Sequence, residues 1–116
     1  MQASQTIDLL ETVDSQPNGI VLAWSGFDFV NQEVKNYDWN YFFVPKYHVD
    51  KSNDNGAGVS IFLVNSNASY LCAKYVYVYN NKIAGNENNN KENVTAPNSG
   101  IRVNNKRYVL RYVIGV

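Results

Sequence analysis

The sequence predicts an all-β domain: an antiparallel β-sandwich of about six to eight strands, with a short N-terminal linker or helical stalk remnant before it. Three observations carry this. From Gly19 onwards apolar and polar residues alternate with a period close to two, the period of a half-buried strand. The chain holds nine Tyr and two Trp, which suit a pleated surface, while 18 of its 116 residues are Asn, which favours turns and tolerates left-handed backbone. Turn signals recur at regular spacing with no convincing helix between them. A chain of this length is one domain that buries roughly two thirds of its unfolded surface. With Cys72 alone, no internal disulfide is available.

The elements follow in order. In residues 1–18, Ile7, Leu10 and Val13 recur every three residues among Asp8, Glu11 and Asp14. That spacing allows a short helical turn or stalk, too short to hold alone. The expectation is a mostly extended or flexible linker, ended by the turn signal Pro17-Asn18-Gly19. Residues 19–116 form the sandwich. Ile20 to Trp24 is its first strand. Across Tyr37 to Val49, Tyr37, Trp39, Tyr41 and Phe43 share one face, and Asp38, Asn40, Phe42 and Val44 share the other. Pro45 has no N–H to give a ladder and marks a bulge, a break or an edge. The loop DKSNDNGAG leads into a strand from Val59 to Val64. From Tyr70 to Tyr79, Tyr75, Tyr77 and Tyr79 alternate with Lys74, Val76 and Val78, and Asn80-Asn81 turns the chain into Lys82 to Ala84. A long polar stretch, Gly85 to Gly100, precedes Ile101 to Val103 and the closing strand Lys106 to Val116. There Tyr108, Leu110, Tyr112 and Ile114 oppose Arg107, Val109, Arg111 and Val113.

Composition excludes several functions. Ten basic residues balance ten acidic ones, without the basic excess that nucleic-acid binding requires. No apolar run approaches the roughly 20 residues that cross a bilayer, and no secretory leader pattern follows Met1. Cys72 lies in an alternating strand, where packing is its expected role, and His48 reads as an ordinary strand-end residue. One histidine and one cysteine cannot build a structural zinc site. Counted as a calcium loop from Asp50, Ser52 and Asp54 fit, but Asn55 stands where glycine belongs and Ile61 where glutamate belongs. The carboxylates of Asp28, Glu33, Asp38, Glu87 and Glu92 lie in polar turns or on alternating faces, with no apolar surroundings to raise a pKa for glycoside hydrolysis. No enzyme, cofactor or metal is expected.

What remains is a binding surface. Flat rings stack on sugar C–H faces while short polar groups pair with hydroxyls. Candidates for saccharide or partner contact are Trp39, Tyr41 and Tyr47, with Asp50, Asn53, Asp54 and Asn55 of the first loop and Asn86, Asn88 and Asn90 of the second. Trp24 and Trp39 are equally readable as core. Tyr75, Tyr77 and Tyr79 form a candidate protein interface, since tyrosine joins an apolar ring to a polar tip.

The segment VLAWSGFDFVNQEVKNYDWNYFFV resembles a recurrent opening in tail and baseplate proteins of phages that infect Gram-positive bacteria. The segments KYVYVYNNKIAGNENN and GIRVNNKRYVLRYVIGV resemble the close of the same modules. The resemblance spans roughly residues 20–116 and is weakest across 46–68. It implies a terminal β-sandwich module of a tail-tip or baseplate protein, carried in the virion and often trimeric. Such modules bind host cell-wall saccharide or hold the receptor-binding protein in the baseplate. The resemblance supplies no catalytic residues, and residues 1–16 look like a stalk or linker cut from a longer chain. Two alternatives share the fold: a baseplate scaffold that docks a neighbouring subunit, and a carbohydrate-binding module of a cell-wall hydrolase.

Overall fold

The computed structural model describes residues 1–2, 5–52, 55–66, 70–91, 94–95 and 102–116. Its strands are β1 (Thr6–Asp8), β2 (Gly19–Asp28), β3 (Glu33–Val34), β4 (Asn40–Pro45), β5 (Gly58–Val64), β6 (Tyr70–Val78), β7 (Lys82–Ala84), β8 (Val94–Thr95), β9 (Arg102–Val103) and β10 (Tyr108–Gly115), with one short helix, α1 (Tyr47–Ser52). They form two sheets. In the smaller, β2 runs between β10 and β4, with β3 continuing the β4 side. In the larger, the order is β1-β7-β6-β9-β8, and β5 covers the other side of β6. The pairings are antiparallel except β6 with β9, where Tyr70 lies beside Arg102 and Leu71 beside Val103.

The all-β sandwich is as the alternation predicts, with its core between the sheets. Ile20, Leu22, Trp24, Val44 and Tyr108 of the smaller sheet meet Ile61, Leu63, Cys72, Val76, Val78 and Ile83 of the larger. Each such side chain contributes roughly 1.5–3 kcal/mol on leaving water. Trp24 is therefore core, whereas Trp39 is half-buried on the surface. The Tyr108 hydroxyl crosses the core to donate to the Val64 carbonyl and ties the sheets together.

Four findings differ from the sequence expectation. The described residues of 1–18 pack onto the domain: β1 pairs with β7, Leu9 N–H donates to Asn81 O, and Val13 is fully buried. Among the described residues there are ten strands where six to eight were expected, because two- and three-residue ladders such as β3 and β8 show no alternation to read. The expected strand Tyr37 to Val49 stops at Pro45, and α1 follows with Val49 packed into the core. Asp50 and Ser52, read as loop, belong to α1. Finally, β10 carries a bulge between Leu110 and Tyr112. Its faces therefore exchange midway: Tyr108 and Leu110 point to the core, as does Val113, while Tyr112 and Ile114 are exposed.

The free side of β6 is closed in an unusual way. β7 pairs with its C-terminal end and β9 with its N-terminal end. Between them, two buried asparagine side chains stand in for a strand. The Asn105 amide oxygen accepts from Ala73 N–H at 2.8 Å. Asn89 accepts from Tyr75 N–H at 2.7 Å and donates to Tyr75 O at 2.9 Å. The Lys74 ammonium, buried on the core side of β6, donates to the backbone carbonyls of both asparagines. Backbone groups that would otherwise be orphaned are thus satisfied.

Candidate functional site

On the outer face of the smaller sheet, strand register sets three side chains level. Tyr41 of β4 and Tyr112 of β10 both lie opposite Ala23 of β2. Adjacent strands stand about 4.8 Å apart, so the two tyrosines are roughly two strand spacings apart with an alanine between. Trp39 fills that gap. Its ring centroid is 6.2 Å from Tyr41 and 6.0 Å from Tyr112, with interplanar angles of 9° and 6°. Ala23, beneath, is fully buried although it faces outward. Two residues away along β2, Phe43 and Ile114 lie opposite Val21 and extend the apolar surface.

Local backbone puts Trp39 there. Asp38 adopts a left-handed φ of 58°, which short polar residues tolerate. Its carboxylate accepts from Ser66 N–H at 3.1 Å, and its carbonyl accepts from the Asn40 amide at 3.2 Å. The turn is pinned on both sides of Trp39. On β10 the bulge turns Arg111 onto the same face as Tyr112. The guanidinium carbon lies 5.0 Å from the Trp39 ring and 5.4 Å from that of Tyr112. Arg111 Nη1 donates to Ser25 Oγ and Asn36 Oδ1, both at 3.0 Å, and to Lys35 O at 3.3 Å. All three acceptors are neutral. The ion pair among the described residues joins Lys35 to Glu33 at 2.8 Å, so the positive charge beside the rings is not cancelled by a carboxylate.

The row is thus a slatted aromatic surface with Tyr41 and Tyr112 more than half exposed. Rings held parallel in this way accept the apolar face of a flat ligand at little entropic cost, and the hydroxyls and guanidinium offer hydrogen bonds at its rim.

Of the residues singled out from the sequence, the structure brings Trp39 and Tyr41 together here. Tyr47 is exposed at the start of α1, and Asn55 is exposed before β5. Asp50 lies within α1, while Asn53 and Asp54 fall outside the described residues. Asn86 caps a 3₁₀ turn, Glu87–Asn90, accepting from Asn88 N–H at 2.9 Å and donating to the Tyr77 hydroxyl at 3.0 Å. Asn88 O accepts from the Asn105 amide at 2.7 Å, and Asn90 is exposed. This part of the second loop therefore lies folded against β6. Tyr75, Tyr77 and Tyr79 are half-buried on the larger sheet. The Tyr75 and Tyr77 rings meet edge to face at 5.4 Å, and Tyr79 covers Gly56.

Tyr112 and Arg111 were not among the sequence candidates. A regular strand would have put Tyr112 in the core with Tyr108, and nothing in the residues themselves announces the bulge. Among the described residues no three side chains of His, Cys, Asp or Glu gather as a metal site would require. Comparison of the chain with protein-family models, with curated proteins and with solved structures gives no match.

Proposed function

We propose that this domain is a saccharide-binding adhesion module of a phage tail or baseplate, with the Tyr41–Trp39–Tyr112 row as its contact surface. The row itself carries the binding part of the reading. Three parallel rings on an exposed sheet face, locked by strand register and by the Asp38 turn, suit the C–H face of sugar rings. The tail context rests on the resemblance across residues 20–116. Each contact contributes little, so host attachment relies on many copies in one virion, which raise avidity without new contacts.

The test is binding of the fluorescently labelled domain, as monomer and as artificial multimer, to cell walls of Gram-positive hosts. Saturable binding by the multimer, competed by free wall polysaccharide and lost in Trp39→Ala, is the expected result. A multimer that shows no saturable binding, or a Trp39→Ala multimer that binds like the parent, overturns the reading.

A further inference from the structure

At one side of the sandwich the sheets leave an open groove of about 540 Å³ between β1, the last strand of the larger sheet, and β10, the last strand of the smaller. Ile20, Leu110 and Val113, all packed against the core, make its floor apolar. Its far bank carries Leu10, fully exposed, with the carboxylates of Asp8 and Glu11. The volume falls within the roughly 300–1,000 Å³ of ligand pockets.

The β10 bank is a strand edge with bonds to offer. Gly19 and Val116 exchange both backbone bonds, at 3.3 and 3.0 Å. By the alternation of an antiparallel ladder, Val113 and Gly115 then turn their N–H and C=O groups away from β2. Among the described residues none of these four groups has a backbone partner. Edge strands are commonly protected by lysine, proline or a bulge. The bulge at Arg111 guards the first half of β10, whereas Tyr112 to Gly115 has none of these devices.

We propose that this edge receives an extended strand from another polypeptide, apolar at alternate positions and bearing lysine or arginine, which adds to β10 beyond the bulge and lays its apolar side chains in the groove. At about 3.3 Å per residue, some four residues cover the stretch from Tyr112 to Gly115. The charge follows from the far bank. Asp8 and Glu11 have no ion-pair partner among the described residues, and the Arg111 guanidinium is held on the outer face by Ser25 and Asn36. A second copy of this chain fits less well. Its β10 would bring backbone groups but no filling side chains, because its Leu110 and Val113 are packed in its own core. This surface is separate from the ring row and does not depend on saccharide binding. It uses the strand-addition mode, in which backbone bonds supply affinity and alternate side chains supply specificity.

Selection of displayed random dodecapeptides against the intact domain tests the proposal. The expected peptides alternate apolar residues, contain Lys or Arg, and slow hydrogen exchange at the Val113 and Gly115 amides. Val113→Pro, which removes one edge donor, weakens them at least tenfold. The double substitution Asp8→Lys, Glu11→Lys changes exposed residues without touching the core and has the same effect, so the test survives if the proline variant does not fold. Failure to enrich such peptides overturns the proposal. So does binding to the double variant within twofold of wild type, or unchanged exchange at the two amides.

Discussion

Replacing Asn89 with alanine tests whether side chains really serve as a strand on the free side of β6. Asn89 is 2 % exposed and makes three bonds: it accepts from Tyr75 N–H and donates to Tyr75 O and to Met1 O. Alanine removes all three and leaves both Tyr75 backbone groups unpaired. An unsatisfied buried group costs about 1–3 kcal/mol, so the expected loss is roughly 2–5 kcal/mol. Against a total stability of about 5–15 kcal/mol for a domain, this is severe. Tm should fall by around 10–20 °C, at about 4 °C per kcal/mol for this size. Urea unfolding at constant slope gives the number directly, and hydrogen exchange at the Tyr75 amide locates it. A loss below about 0.5 kcal/mol, set against that desolvation cost, together with unchanged exchange at Tyr75, would refute the reasoning, because it would mean that water satisfies this edge equally well.

Three further outcomes are expected. Burial holds the Lys74 ammonium below its ordinary 10.5. Between the folded and unfolded values the unfolded chain binds the extra proton, so the Lys74 penalty shrinks as pH rises towards 10.5. The unfolding free energy of the parent relative to Lys74→Met should therefore increase with pH across this window. Comparing the two proteins cancels the opposite trend from Tyr70 and Tyr108, whose values burial raises, and a pH-independent difference rejects the assignment. Tyr108→Phe deletes the hydroxyl bond to Val64 O and should cost about 1 kcal/mol in urea unfolding; no loss would show that the tie between the sheets carries no weight. Gly56→Ala forces a side chain onto a left-handed backbone with φ of 69° and drives its Cβ into the Tyr79 ring. A loss of at least about 1–3 kcal/mol is expected, and an unchanged midpoint would contradict the packing of Tyr79 on that glycine.

Strands such as β5, β6 and β7 were legible because one face is buried and the other is not, so alternation is written into their residues. The smaller sheet was harder. β2 is covered on both sides, with Ala23 and Ser25 buried as deeply as Leu22 and Trp24, and period two alone does not say which tryptophan faces the core. The ring row was half visible: Trp39 and Tyr41 share a strand face in the sequence, but Tyr112 joins them through a bulge that costs one residue of register and leaves no residue signature. The asparagines were the least legible. Asn86, Asn89 and Asn90 look alike in the chain, yet one caps a turn, one completes a sheet and one faces water. What separates them is the position of β6, fixed by residues far away in sequence. The N-terminal segment misled for a similar reason, since Val13 is buried by a core that the first 18 residues do not themselves contain.

The closure of β6 by two amides has a consequence for how this domain tolerates change. A ladder of paired strands transmits length: one inserted residue slides every later pair and turns each side chain to the opposite face. Asn89 and Asn105 each grip β6 at a single residue, Tyr75 and Ala73. Residues added or removed between Thr95 of β8 and Arg102 of β9 shift no partner along β6, so long as β9 and both amides stay seated. The connection can therefore be rewritten in length and chemistry while the body of the sandwich keeps its shape, much as a fabric pegged at two points can be recut between them.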